Sequence, residues 1–269
     1  MNKNIKKKLL TLLKKVKVKK NSTIFLHAGL NYLTKLSDVN NKISPEEILD
    51  TLKEYCGKNS TIIFPAFFYD FSRKNKIFNI LKSPPSKSLG SLTQYIFKNE
   101  KFYRSKHPLT SLIGIGKKAK IICAKTNSRD YGYGSAWHEL VKQNAQLLFL
   151  GVPMYKANTF IHYIEFQLGV PHMYIKKFNN KIIYKDRILD KEVFAYVRYL
   201  NNDVNVDQIK FYNDLKKEKC LKSLKLGKGE ISSINIKELL NFGLKKLEKW
   251  PYYFLRKKPK FKKNLIPLI

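Results

Sequence analysis

His162 and Glu165 stand three residues apart in Asn158-Thr159-Phe160-Ile161-His162-Tyr163-Ile164-Glu165, just after the apolar run 147–152. A helix that begins after Thr159 puts both side chains on one face. An imidazole titrates near neutral pH, and a carboxylate beside it fixes which nitrogen carries the proton. That pair suits a general base drawing a proton from a nucleophile. The competing reading is a plain ion pair on a helix surface. Two further histidines fall near strand ends or turns. His27 closes the apolar stretch 23–27, and His107 lies in Arg104-Ser105-Lys106-His107-Pro108, with Ser111 soon after. Ligands of open α/β sheets gather at the carboxyl ends of strands, which favours chemistry over a structural role for histidines placed there. His138 and His172 have no comparable setting. Asp70, after Phe67-Phe68-Tyr69, reads equally as a substrate-facing carboxylate or a turn residue. Asp203 and Asp207 read as helix caps or solvated positions.

The elements that must position these residues follow from periodicity. Residues 4–17 repeat apolar positions at helical spacing. Residues 23–27, 61–64 and 147–152 read as buried strands, and Ser44-Pro45-Glu46-Glu47 carries a capping box that starts a helix. Helices are expected over 88–97, 135–143, 206–215 and 236–247, besides the one bearing His162. Alternating strands and helices predict an α/β fold, a layered mixed sheet flanked by helices. Residues 182–184 and 193–197 look like hairpin strands, so 174–200 is expected to form a small β subdomain. The division that follows is a basic amphipathic helix over 1–20, a main domain over 21–249 and a basic aromatic tail over 250–269.

The chain has 269 residues and a formal net charge of +33, from 53 basic and 20 acidic side chains. Such a charge attracts phosphates, anionic lipids or anionic substrates. It equally reflects a Lys-, Asn- and Ile-rich composition. A basic nucleic-acid- or membrane-surface-binding protein is therefore a rival class. No nucleic-acid motif appears and the aromatics mostly fall within apolar runs, so no nucleic acid partner is expected. The basic ends suit peripheral contact with an inner membrane face. No apolar run reaches the ~18 residues of a spanning helix, and residues 1–20 lack a signal-peptide core. Cys56, Cys123 and Cys220 are far apart and form no CxxC. This predicts no metal site, no disulfide framework and a reducing cytoplasm. One His-x-x-Glu supplies too few ligands for a metallohydrolase.

Six segments in order resemble the antibiotic N-acetyltransferase family, whose best-known members are the aminoglycoside 3-N-acetyltransferases. They are His27-Ala28-Gly29-Leu30, Thr61 to Phe67, Gly90-Ser91-Leu92-Thr93, Arg104 to Ser111, Tyr133-Gly134-Ser135, and Leu150-Gly151-Val152 with Asn158 to Glu165. Gly227-Lys228-Gly229-Glu230-Ile231 is similar to a late glycine segment of the family. The resemblance runs from about residue 21 to 247. It implies acetyl transfer from acetyl-CoA, as co-substrate, to an amine on a sugar. His162 would be the general base and Glu165 its partner. It places the cofactor near His27, Ala28, Gly29 and Leu30, and near Arg104, Ser105, His107 and Ser111. Asp70, Asn158, Thr159 and Glu165 fall to the acceptor side. Oxyanion donors are sought in the Ala28-Gly29 backbone or the hydroxyls of Ser105 and Ser111. Direct transfer is expected, because no cysteine or serine sits in a strand-to-helix elbow. The family's serine pair after the first histidine is replaced by Ala28-Gly29. The charge also departs from what a polycationic aminoglycoside would favour. An amino sugar carried on a nucleotide diphosphate or a glycan precursor is therefore the expected acceptor, in surface-polysaccharide biosynthesis. The alternative is an aminoglycoside, with antibiotic resistance.

Overall fold

One mixed sheet with apolar residues on both faces organises the chain. The computed structural model describes residues 3–31, 33, 43–199, 203–226 and 229–261. Gly227, Lys228 and the tail beyond 261 lie outside the described residues, so the late glycine segment is described only from Gly229 onward. The seven-stranded sheet has at its centre β1 (Thr23–Ala28), β2 (Thr61–Pro65) and β6 (Gln146–Leu150). These three are parallel, in the order β6-β1-β2. They are buried almost throughout, as parallel strands covered on both faces must be. Antiparallel strands extend both sides. β5 (Leu112–Gly116) and β4 (Tyr103–Arg104) follow β2, while β12 (Gly229–Asn235) and β11 (Lys222–Leu226) follow β6.

Helices cover the two faces. On one side lie α1 (Lys3–Lys15), α2 (Pro45–Cys56) and α4 (Ser91–Asn99), burying Leu9, Leu13, Ile48, Leu52 and Ile96. The capping box of α2 forms as the sequence predicts, with Ser44 and Glu47 each bonding the other's backbone. On the other side lie α5 (Ala136–Lys142), α7 (Ile161–Leu168), α8 (Ile209–Lys217) and α9 (Ile236–Lys249), burying Trp137, Ile164, Phe211 and Leu239. The apolar face of α1 is spent on this packing: Ile5, Leu9, Leu13 and Val16 are buried. Among the described residues its lysines lie on the outer face. Among the described residues no helix is long and apolar enough to cross one.

The segment 174–200 pairs differently from the expected hairpin of 182–184 with 193–197. β7 (Met173–Phe178) pairs antiparallel with β10 (Val193–Arg198). β8 (Ile182–Tyr184) instead forms a tight hairpin with β9 (Arg187–Asp190) and adds β3 (Phe78–Asn79) in parallel. Lys185 and Asp186, both with positive φ, make the two-residue turn that joins β8 to β9. Two short helices complete the set, α3 (Asp70–Arg73) and α6 (Met154–Ala157).

Candidate active site

The carboxyl ends of β1, β2 and β6 point to one edge of the sheet, and the chain leaving each end contributes to a single site. Gly151 ends β6 with φ +79°, and a Cβ there would lie 2.5 Å from the Gly29 carbonyl oxygen. This close approach sets the exit of β6 against the turn after β1. Gly151→Ala meets backbone rather than a yielding side chain, in a conformation that opposes a Cβ. A loss of at least ~2 kcal/mol is expected, read as a lower denaturant midpoint with unchanged slope.

After α6 the chain turns at Asn158. Its Oδ1 accepts from Phe160 N–H at 3.1 Å, and its carbonyl accepts from Gln208 Nε2 at 3.0 Å. Asn158 is 2% exposed and shapes the corner. Thr159 follows, and its Oγ1 lies 2.9 Å from Nε2 of His27. His27 is buried between Phe25 and Phe149, and burial lowers its pKa to about 3. It is therefore a neutral ring that ties Thr159 to β1, not a cation for a cofactor phosphate.

His162, on the first turn of α7, keeps 28% of its side chain exposed, while Glu165 is wholly buried. His162 Nδ1 lies 2.8 Å from Glu165 Oε2, and His172 Nε2 lies 3.0 Å from Oε1. Burial alone would raise the Glu165 pKa. The hydrogen bonds and charge of the two rings outweigh it and hold the carboxyl at about 2. An ionised carboxylate only accepts, so each ring donates to it. A neutral His162 ring so bonded carries its proton on Nδ1 and leaves Nε2 as its basic nitrogen. The stability Glu165 supplies is fully present above its ordinary value of 4.5 and lost as pH falls toward 2. Urea midpoints should drop between pH 4.5 and about pH 2. In Glu165→Gln, less stable at pH 7, that dependence should flatten.

A cavity of about 420 Å³ opens beside His162 and Thr159, walled by Phe67, Tyr69, Tyr131 and Tyr196. Phe67 and Tyr69 come from the chain leaving β2, and the β7–β10 ribbon closes the far side. Four residues expected at the cofactor are built into the protein interior instead. The Arg104 guanidinium is 3% exposed and donates to the carbonyls of Ala66 and Ser83 and, at 3.3 Å, to Ser111 Oγ. Burial lowers its pKa to about 9. Ser111 Oγ donates to Ala66 O, and Ser105 Oγ accepts from Leu112 N–H at 2.8 Å. His107 is held at both nitrogens, by Thr110 Oγ1 at 2.9 Å and by the Phe194 carbonyl at 3.2 Å. The segment is thus a strut fixing β10 and the exit of β2, and the Arg104, His107 and Ser111 side chains are spent on contacts within the protein. The Ser111 hydroxyl is likewise unavailable as an oxyanion donor, and so is Gly29 N–H, which donates to Leu150 O at 2.9 Å. Ala28 and Gly29 remain half-buried, and Leu30 is buried. Asp70 does not line the cavity. It sits at the surface, paired with Lys76 at 2.9 Å and Lys74 at 3.4 Å. Among the described residues no three His, Cys, Asp or Glu side chains gather where they could share a metal ion.

Sequence reasoning missed His172 and the tyrosines of the cavity. His172 reaches Glu165 because Gly169, in the left-handed region at φ +70°, ends α7 and lets 170–172 fold back beneath it. Gly169 and Pro171 were the available signal.

Residues 25–248 match the model of the aminoglycoside 3-N-acetyltransferase family. The match makes the chain an N-acetyltransferase, an enzyme class that moves the acetyl group of acetyl-CoA onto an amine. The chain belongs to the aminoglycoside 3-N-acetyltransferase family. Its fold is shared with AAC-IIIb, solved as a binary complex with CoASH, at 18% identity and TM-score 0.76, covering 94% of this chain and 98% of that one. It is shared with sisomicin-bound AAC-VIa at 18% identity and TM-score 0.75, covering 91% and 97%. The YokD protein from Bacillus subtilis aligns at 18% identity and TM-score 0.69, covering 89% and 97%. No curated protein matches the chain by sequence.

Proposed function

We propose that the protein transfers the acetyl group of acetyl-CoA directly to an amino group of an amino-sugar acceptor held in the cavity. The observation that carries this reading is the Glu165-bound His162, whose Nε2 lone pair is left for the cavity. The amine nitrogen attacks the thioester carbonyl as its proton passes to His162 Nε2. The tetrahedral intermediate then expels the coenzyme A thiolate, which takes a proton as the amide forms. Direct transfer accords with the thiols: Cys56 and Cys123 are buried and no cysteine lines the cavity. Acetyl-CoA is assigned to the Ala28-Gly29-Leu30 side, where Gly90, at the uncapped start of α4, approaches Ala28 O closely enough to exclude a Cβ. Thr159, tied to His27, stands between the two sides.

The family and its solved relatives speak for an acceptor of the aminoglycoside kind over the nucleotide-linked sugar that net charge suggested. Nothing in them speaks for surface-polysaccharide biosynthesis. The test is thiol release from acetyl-CoA with sisomicin, apramycin, simple amino sugars and nucleotide-linked amino sugars. Release stimulated by an aminoglycoside or an amino sugar is expected. If none of these amines raises release above the rate of acetyl-CoA hydrolysis, the proposal fails.

A further inference from the structure

Three cations border the cavity that holds His162: Arg73 at the end of α3, Lys176 on β7 and Arg198 at the end of β10. Among the described residues no carboxylate joins them in the lining. Among the described residues none of the three makes an ion pair. Arg73 lies over the Tyr69 ring at 4.9 Å and Lys176 over the Phe178 ring at 5.3 Å. Tyr69, Arg73 and Arg198 line the same cavity. The nearby buried carboxylates are already committed. Glu165 is held by two histidines, and Asp130 accepts the backbone N–H groups of Tyr131 and Tyr196.

Uncompensated like charges around a concavity repel one another until an anion enters. Guanidinium groups meet phosphate or carboxylate through paired, charge-assisted hydrogen bonds. A polycation without anionic groups meets the opposite field. We infer that the acceptor carries a phosphate or carboxylate beside its amine, and that Arg73, Lys176 and Arg198 bind this group while His162 receives the amine's proton. An amino-sugar framework with its own anionic group satisfies both the family's chemistry and this cavity. The inference rests on the acetyl-transfer reading for the role of the amine, but the anion site is testable without turnover.

The probes are glucosamine and glucosamine 6-phosphate, titrated by calorimetry into the full-length protein saturated with coenzyme A. Inorganic pyrophosphate serves as competitor. The phosphorylated sugar should bind at least tenfold tighter, lose that advantage in Arg198→Gln, keep most of it in Arg198→Lys, and be displaced by pyrophosphate. Melting temperatures check that the variants fold, and Lys176→Gln, at an exposed position, provides a second reading. Equal affinity, absence of binding by both sugars, or a preference that survives both neutral variants overturns the proposal. So does a phosphate preference seen only without coenzyme A, since the cations would then serve that cofactor's own phosphates. The acetyl-transfer reading fails separately, if thiol release never responds to an amine while the phosphate preference stands.

Discussion

His162→Ala is expected to lower kcat/KM for acetyl transfer by about a thousandfold, within the usual contribution of a positioned general base, and to leave KM for acetyl-CoA nearly unchanged. The imidazole is half-exposed and makes one hydrogen bond, to a carboxylate that keeps a second partner in His172. Its removal therefore disturbs the fold less than the chemistry. Glu165→Gln separates positioning from proton transfer. The carboxylate accepts on both oxygens, whereas an amide has one accepting oxygen and one donating nitrogen. One of the two rings must then face a donor. If that ring is His162, it has to present its Nδ1 lone pair, and the proton moves to the nitrogen that should act as base. A fall in kcat of ten- to a hundredfold, the scale set by orienting groups, is expected with KM for acetyl-CoA unchanged, together with a lower melting temperature. Steady-state thiol release on both variants checks this. Activity of His162→Ala within tenfold of the parent would remove His162 from the base role.

The parts of this site that could be read from sequence are local ones. His162 and Glu165 are three residues apart on one helix, so helical geometry alone brings them together. The capping box at Ser44 and the buried strands 23–27, 61–64 and 147–152 are local in the same sense. What escaped depends on contacts distant in sequence. β12 pairs with β6 across the sheet, but its short Ile-Ser-Ser-Ile segment has no distinguishing periodicity. The pairing of β7 with β10, rather than of β8 with β10, is decided by the β8–β9 turn and by β3, far upstream in the sequence. That ribbon brings Lys176, Tyr196 and Arg198 to the cavity. Arg104 shows the converse error. A basic residue in a polar segment suggests an exposed phosphate ligand, but only the fold reveals the carbonyls waiting for it at Ala66, Ile80 and Ser83.

The burial of Arg104 gives the second large effect, on stability. Arg104→Gln is expected to cost about 3–5 kcal/mol, the range for breaking a buried charged network, which for a chain of this size lowers the melting temperature by roughly 6–20 °C. The guanidinium spans two loops at once. Ala66 follows β2, Ser83 follows β3, and the planar group stacks over Phe78 at 4.7 Å and Phe97 at 5.7 Å. Glutamine is too short to bridge both loops and leaves buried carbonyls without donors. Lysine keeps the charge but lacks the planar fork, so Arg104→Lys should recover only a minor part of the loss. A cofactor-binding role makes the opposite forecast: KM for acetyl-CoA would rise while the melting temperature held, and lysine would restore binding. Measuring both quantities on the two variants decides between them. Unfolding with an unchanged KM in the folded fraction places Arg104 beneath the site, holding the exit of β2 that carries Phe67 and Tyr69 to the cavity wall.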